Sequence, residues 1–188
     1  SHKEEEYTLS RLGNIFIAGY YPCPVKVVRS IGALLRYDTG KLGRISVVDP
    51  CAADGEAVVE LAAAIDRTTV RRSTANIYAC EMEAGRATSL ARRLRRDRRP
   101  ERGRAVHSDA FRLRWEGGRR HDQQPLRAGV LWLNPIYDTD PMYGRTEERW
   151  LWHFLSLIHP EGGVLVFVIP TSAISASAET IAKHFTGV

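Results

Sequence analysis

The sequence predicts an α/β protein with a doubly wound, mainly parallel sheet. Short β-branched runs alternate with stretches whose apolar residues recur at helical spacing. Two later runs, 129–133 and 162–169, are apolar throughout, as strands buried on both faces are. Small and polar residues follow several of the predicted strands, and ligands of doubly wound sheets bind at that edge.

The first half of the chain alternates helix and strand. A helix over 24–37 ends before Gly40 and Gly43, which indicate a turn. The β-branched run 44–49 predicts a strand, and apolar residues at helical spacing over 56–65 predict the helix after it. The same pairing recurs in the strand 77–81, the helix 84–96 and the strand 104–108.

The second half contains two predicted central strands. The apolar runs 129–133 and 162–169 are these strands, and the spacing over 147–158 between them is helical. Right-handed crossovers between such units make the strands parallel, so functional residues are expected beyond their carboxyl ends.

Composition limits the class of protein. The 188 residues have the size of one domain, and no apolar run approaches the ~20 residues that a membrane span needs. The first residues lack the basic and then apolar order of a secretory signal, so a cytoplasmic protein with no membrane partner is expected. Cys23, Cys51 and Cys80 form no Cys-x-x-Cys pair, and no metal site is predicted.

The formal net charge of +5 comes mostly from arginine and is concentrated over 92–99. One hypothesis is that this run binds nucleic-acid phosphates. The alternative is the solvated end of a helix in an arginine-rich chain.

The loop after the first predicted strand consists of small residues and leads into a helix. Its residues are Asp49, Pro50, Cys51, Ala52, Ala53, Asp54 and Gly55. Small residues allow a ligand to approach the backbone, and a helix N-terminus attracts a carboxylate. Because Asp49 and Asp54 complement an ammonium or sulfonium group, the loop suits a methionine-like zwitterion.

Acidic residues follow the next two predicted strands. Glu81 is placed to accept hydrogen bonds from both hydroxyls of a ribose, with Glu83 in reserve. Asp109 is placed to accept from an adenine amino group, and Met82 or Phe111 to cover the adenine ring.

The fourth predicted strand runs into Asn134, Pro135, Ile136 and Tyr137. The Asn134 amide oxygen and the Pro135 carbonyl are both acceptors for a substrate NH2 group, and Tyr137 offers a stacking surface. Such an arrangement holds the lone pair of a nitrogen toward a methyl donor. A turn that closes the strand is the alternative interpretation of the same residues.

Over about 19–170 the sequence resembles the adenine-N6 DNA methyltransferases, which use S-adenosylmethionine. Three motifs carry the resemblance: a Tyr-Tyr-x-x-Pro-like segment over 20–24, the small-residue loop 49–55, and Asn134-Pro135-Ile136-Tyr137, which is similar to Asn-Pro-Pro-Tyr. The resemblance implies a Rossmann-like class I methyltransferase fold, S-adenosylmethionine as cofactor and DNA as partner.

The resemblance also implies a set of site residues. In that family the first two motifs hold the methionine moiety, the second-strand acid the ribose, the third-strand Asp the adenine, and Asn-Pro-Pro-Tyr the flipped base. The implied catalytic residues are Asn134, Pro135 and Tyr137. The implied cofactor-binding residues are Tyr21, Pro22, Asp49, Cys51, Ala53, Gly55, Glu81, Met82, Asp109, Ala110, Phe111 and Asn134.

The sequence departs from the family at two motif positions. Ala53 stands where the family loop usually has glycine, and Ile136 replaces the second proline. The family sheet normally continues with two more strands after the fifth, so we expect a fragment or a sheet completed by another segment. The expected organisation is one methyltransferase domain over 1–188, with an N-terminal extension 1–18, a core 19–170 and an incomplete further segment 171–188.

Two other functions remain open. Glutamine side-chain amides of proteins are methylated by a related family with the same Asn-Pro-Pro-Tyr motif. A non-catalytic nucleic-acid-binding module is the other alternative, because Ala53 and Ile136 replace motif residues. A nicotinamide cofactor is disfavoured because the first loop has no Gly-x-Gly-x-x-Gly pattern.

Overall fold

A parallel sheet forms the centre of the protein, which the computed structural model describes over residues 21–37, 45–68, 75–96, 104–106, 126–135, 139–140 and 144–185. Within these ranges the strands are β1 (Ser46–Asp49), β2 (Asn76–Cys80), β3 (Arg104–Val106), β4 (Val130–Leu133), β5 (Thr139–Asp140), β6 (Gly144–Arg145) and β7 (Val164–Phe167). The main sheet has the order β3-β2-β1-β4-β7, and each neighbouring pair is parallel. The five predicted strands and their parallel pairing are confirmed. The predicted central position is confirmed for β4 but is wrong for β7, which lies at the edge of the described sheet with all four residues half-buried.

Helices cover both faces of this sheet. Within the described ranges they are α1 (Val25–Leu34), α2 (Glu56–Thr68), α3 (Ala84–Arg96), α4 (Thr146–Phe154) and α5 (Ile174–Phe185). On β1, Val47 packs with α1, α2 and α3, whereas the next residue, Val48, packs in the core that contains α4. Successive side chains of a strand point to opposite faces, so a strand covered on both faces is apolar at every position. The sheet is therefore doubly wound, as predicted.

Helix α1 connects the N-terminal segment to this core. It packs on α2, where a Cβ added to Gly32 would lie 2.4 Å from the Ala64 Cβ. Glycine is needed for so close an approach of the two helices. Arg29 and Glu60 link the same two helices by an ion pair of 2.9 Å.

Two predicted helices end earlier than the sequence pattern indicates. The helix expected over 24–37 ends at Leu34, because Leu35 is extended. The helix expected over 147–158 ends at Phe154, and a 3-10 turn follows over Leu155–Leu157. The reason is tertiary: Ala128 donates to the Leu157 carbonyl at 2.6 Å, and Ile158 forms a parallel bridge with Ala128. These backbone groups cannot also continue the helix.

A short hairpin precedes α4, and sequence analysis did not predict it. Strands β5 and β6 pair antiparallel, with Thr139 opposite Arg145. Two residues per strand are too few to show an alternating pattern. Among the described helices, none has both the length and the apolarity that crossing a membrane requires.

The direction of strand addition reverses between β1 and β4. From β1 the chain adds β2 and then β3 on one side, and it adds β4 and β7 on the other. Ligands of doubly wound sheets bind beyond the carboxyl ends of the two strands at which the order reverses. Here these ends are Asp49 and Leu133.

Candidate functional site

Asp49 is a buried carboxyl group at the end of β1. Its side chain is 1% exposed, and its Oδ1 accepts a hydrogen bond of 3.0 Å from the Cys51 N–H. Burial raises the pKa of Asp49 from 3.8 to about 7, while the Cys51 bond lowers it and the charge of Glu81 raises it further. A cationic ligand near this buried carboxyl group would stabilise its ionised form.

Glu81 lies at the end of the adjacent strand β2. It is 8% exposed, and its Oε1 accepts from the Glu83 N–H at 2.8 Å and from Arg86 Nη2 at 3.1 Å. Met82 is exposed beside it. Because β1 and β2 are hydrogen-bonded neighbours, the two predicted acids lie at the same edge of the sheet.

Glu83, the reserve residue for the ribose, has a different role in the structure. Its two carboxylate oxygens accept from the Gly85 N–H at 2.8 Å and the Arg86 N–H at 2.7 Å. These bonds satisfy backbone donors at the start of α3 and lower the pKa of Glu83. Glu81 is therefore the better candidate for a ligand contact.

Asn134 follows β4 and is joined to the N-terminal segment. Its Nδ2 donates to the Tyr21 carbonyl at 2.7 Å, across 113 residues of sequence. Pro135 is buried, Tyr21 is half-buried and Pro22 is exposed. Tyr21, which was predicted only from the resemblance, is thus in contact with Asn134, which was predicted from its position after a strand.

Cys51 lies between the first loop and the end of β4. Its sulfur accepts a hydrogen bond from the Asn134 backbone N–H. Burial, and then the charge of Asp49, raises the pKa of the Cys51 thiol. A thiol with a raised pKa is a poor nucleophile. Cys51 therefore connects β1 and β4, and covalent catalysis by this residue is disfavoured.

The loop after β1 contains a tight turn. The Gly55 N–H donates to the Ala52 carbonyl at 2.8 Å, and the Ala52 N–H donates to the Cys80 carbonyl at 2.8 Å. Ala53 has φ 51° and Gly55 has φ 86°. A Cβ added to Gly55 would lie 2.5 Å from the Leu90 Cδ1. Glycine at position 55 is required by both its backbone angle and its neighbour.

Arg93 also contacts this loop, and sequence analysis did not predict the contact. Its Nη2 donates to Asp54 Oδ2 at 2.7 Å, and its Nε donates to the Asp54 carbonyl at 3.1 Å. In the sequence Arg93 belongs to the basic run 92–99, for which phosphate contact and solvation were the two interpretations. The ion pair of Arg93 with Asp54 is a third role, which neither interpretation included. A usable signal was its helical position beside the buried residues Leu90 and Leu94.

Four predicted site residues lie outside the described part of the chain: Asp109, Ala110, Phe111 and Tyr137. Their roles stay predictions. Within the described residues, no group of three or more His, Cys, Asp or Glu side chains could hold a metal ion.

The arrangement combines polar groups of two kinds beyond β1, β2 and β4. Asp49 and Glu81 supply carboxyl groups, and a loop of small residues leads directly into α2. Asn134 supplies an amide whose nitrogen faces a carbonyl. The first set suits a ligand with a cationic centre and hydroxyl groups, and the second suits a planar group with N–H donors.

Similarity to known proteins is found at the level of structure and not of sequence. No protein-family model matches the sequence, and no curated protein matches it significantly. A Listeria monocytogenes protein assigned to the class I S-adenosylmethionine-dependent methyltransferases matches the structure with a TM-score of 0.66 and 12% identity, over 88% of this chain and 53% of that one.

Two further solved structures are similar. The methyltransferase subunit of a type I restriction-modification system from Streptococcus thermophilus has a TM-score of 0.58 and 18% identity, over 82% of this chain and 35% of that one. The M. jannaschii tRNA m1G37 methyltransferase has a TM-score of 0.57 and 12% identity, over 87% of this chain and 42% of that one. This chain thus spans about half the length of these proteins or less, and its fold is that of the class I S-adenosylmethionine-dependent methyltransferases.

Proposed function

We propose that this chain is an S-adenosylmethionine-dependent methyltransferase whose substrate is the N6 amino group of adenine in DNA. The observation that carries the proposal is the position of Asn134. It follows β4 at the reversal of strand order, its backbone contacts Cys51, and its side-chain nitrogen donates to the Tyr21 carbonyl at 2.7 Å. A planar amide is thereby oriented beside the loop proposed to bind the cofactor.

The residues beyond β1 and β2 fit the proposed cofactor. The buried Asp49 carboxyl would complement a positive charge, and the small-residue turn would leave the loop backbone accessible. Glu81 Oε1 is engaged by Glu83 and Arg86, so its Oε2 would accept the ribose hydroxyls. When bound, S-adenosylmethionine supplies a methyl group activated by a sulfonium ion.

The residues beyond β4 would orient the methyl acceptor. The Nδ2 of Asn134 is directed at the Tyr21 carbonyl, so the acceptor presented by this amide is its oxygen, which has two lone pairs. The Asn134 oxygen and the Pro135 carbonyl would accept from the two hydrogens of a substrate amino group. Holding that nitrogen with its lone pair toward the methyl group accelerates transfer by positioning, and no strong general base is required.

Charge supports a nucleic acid as the partner. The chain carries a net charge of +5, and Arg92, Arg95 and Arg96 are exposed on α3. Two of the similar structures are, by description, a restriction-modification methyltransferase subunit and a tRNA methyltransferase. DNA is proposed over RNA because the motif at Asn134 resembles that of the adenine-N6 DNA enzymes.

The salt dependence of DNA binding tests the role of the exposed arginines. Changing Arg92 and Arg96 to Gln should reduce the slope of log affinity against log salt by about 2 if each neutralises one phosphate. The matched control changes Lys26 and Arg36, which are exposed on or beside α1, and should leave the slope unchanged. Equal slopes for both double variants and the wild type would show that these arginines are only solvated.

The enzymatic proposal is tested in two steps. Calorimetric titration with S-adenosylmethionine measures cofactor binding, and labelled methyl transfer to separate pools of DNA, RNA and protein then identifies the acceptor. N6-methyladenine in the DNA pool is the expected product. Label on glutamine in the protein pool would instead support the related glutamine methyltransferase. Absence of cofactor binding would support the non-catalytic module, because Ala53 and Ile136 replace the usual motif residues.

A further inference from the structure

The turn after β1 holds an alanine in a backbone conformation that favours glycine. The Gly55 N–H bonds back to the Ala52 carbonyl, which makes Ala53 the second residue of a four-residue turn. Turns with a positive φ at that position are dominated by Gly, Asn and Asp. Ala53 has φ 51°. Its Cβ makes this conformation unfavourable in isolation, so the surrounding contacts must hold it.

Two contacts from neighbouring elements hold the turn. The Ala52 N–H donates to the Cys80 carbonyl at the end of β2, which fixes the residue before Ala53. Arg93 of α3 fixes the residue after it, because its Nε and Nη2 donate to the Asp54 carbonyl and carboxylate respectively. The remaining Asp54 oxygen, Oδ1, accepts from the Glu56 N–H at 3.2 Å, where α2 begins.

The chemistry of arginine suits this double contact. A guanidinium presents several N–H donors in a rigid plane and can bond to two acceptors of one residue at once, which the single ammonium of lysine does less well. The aliphatic part of Arg93 also packs at the turn, since its Cδ would lie 3.7 Å from a Cβ added to Gly55. The side chain thus contacts both residues that follow Ala53.

We infer that Arg93 is a positioning residue that holds the Ala53 turn in the conformation required to bind the cofactor. The expected effect on cofactor affinity rests on the proposed function. The stabilisation of the turn by Arg93 does not. The hydrogen bonds of Arg93 to Asp54 act on the turn, so its role is to position the turn. Arg93 compensates for the alanine at position 53, so its importance should fall when position 53 is glycine, which adopts a positive φ without a steric penalty.

A double-mutant cycle tests this compensation. The variants are Arg93→Met, Ala53→Gly and both together, because methionine keeps an aliphatic side chain and removes the donors. Each is titrated with S-adenosylmethionine by calorimetry. Arg93→Met should weaken binding about fivefold in the wild-type background, the scale for a partly exposed ion pair, and less than about twofold when position 53 is glycine. The affinity of Arg93→Lys for S-adenosylmethionine should lie between those of Arg93→Met and the wild type.

Arg29→Met is the matched control. Arg29 likewise makes a double contact to one acidic residue, Glu60, but it lies outside the turn. The control changes the net charge by the same amount, so it reports any general electrostatic effect on affinity. It should leave cofactor binding unchanged in both backgrounds.

Amide hydrogen exchange separates this inference from the proposed function. The Gly55 amide donates to the Ala52 carbonyl, so its protection reports the turn without any ligand. Arg93→Met should speed exchange at Gly55 in the Ala53 protein and much less in the Ala53→Gly protein. If the wild-type protein fails to bind S-adenosylmethionine, the proposed function is wrong. The exchange comparison then still shows whether Arg93 stabilises the Ala53 turn. Equal acceleration in both backgrounds, or none in either, would overturn the inference.

Discussion

The two halves of the candidate site are held in place in different ways. Beyond β1 and β2 the contacts come from neighbouring parts of the α/β core, such as the 2.8 Å bond from Ala52 to the Cys80 carbonyl. Beyond β4 the amide of Asn134 is held by Tyr21, 113 residues away and before the first described helix. The proposed cofactor half is thus preorganised by the core, whereas the proposed substrate half depends on a remote segment.

Substitutions in the two halves of the candidate site should therefore have different effects. Changes beyond β4 should impair transfer and leave the cofactor half able to bind. Substitutions at the turn after β1 should weaken cofactor binding and also slow methyl transfer, because the methyl donor would be misplaced.

Asn134→Ala is expected to have the largest effect. Losing an acceptor that matters mainly in the transition state should slow single-turnover methyl transfer by about 100- to 1,000-fold, the scale for one polar group that stabilises a transition state. Affinity for S-adenosylmethionine should fall by no more than about fivefold, the cost of one neutral hydrogen bond to Tyr21. Wild-type single-turnover rates would show that this motif is only a turn and would remove the basis of the enzymatic proposal.

The buried carboxyl of Asp49 should make stability depend on pH. Its folded pKa of about 7 lies above its ordinary value of 3.8, so the folded protein retains a proton that the unfolded chain releases between these values. The contribution of Asp49 to stability therefore declines as pH rises from about 4 to about 7, by on the order of 4 kcal/mol at most.

Denaturant unfolding at several pH values measures this decline. Subtracting the Asp49→Asn curve from the wild-type curve isolates it, because asparagine does not titrate. Glu60→Gln is the control, since Arg29 lowers the pKa of that carboxyl and the sign of its contribution is opposite. A wild-type minus Asp49→Asn difference that stays constant with pH would contradict the burial argument.

Gly55→Ala should destabilise the turn. The substitution combines a φ of 86° with a Cβ placed 2.5 Å from the Leu90 Cδ1, and we expect a loss of about 2 to 4 kcal/mol in the free energy of unfolding. Gly162→Ala is the matched control, because its φ is 120° but nothing lies within 4 Å of the added Cβ. Equal losses of unfolding free energy for the two variants would show that the Leu90 side chain moves aside without a measurable energetic penalty.

Glu81→Ala should have the smallest of these effects and should act on cofactor affinity. Loss of hydrogen bonds to a charged group is expected to weaken binding by about 1.5 to 3 kcal/mol in calorimetric titration. Glu83→Ala should change affinity less, because both of its carboxylate oxygens accept from backbone N–H groups of α3. A larger effect at Glu83 than at Glu81 would reverse the assignment of the ribose contact.

The sequence by itself determined the parallel sheet and the strand ends at which we predict ligand binding. The run 129–133 is apolar because both faces of β4 are covered, and this property is visible in a short window of sequence. Asp49 and Glu81 were identified because each is the last residue of a predicted strand, and Asn134 because it directly follows one. The end of the fourth helix was missed because the Ala128 bridge that competes with it is a distant contact.

Only the tertiary structure decided how these residues are held. The φ of Ala53, the burial of Asp49 and the contact between Tyr21 and Asn134 depend on elements that are far apart in sequence. Arg93 shows this most clearly, because in the sequence it is one arginine in a basic run. Its contact with Asp54 exists because α2 and α3 pack on the same face of the sheet, which brings together residues 39 positions apart.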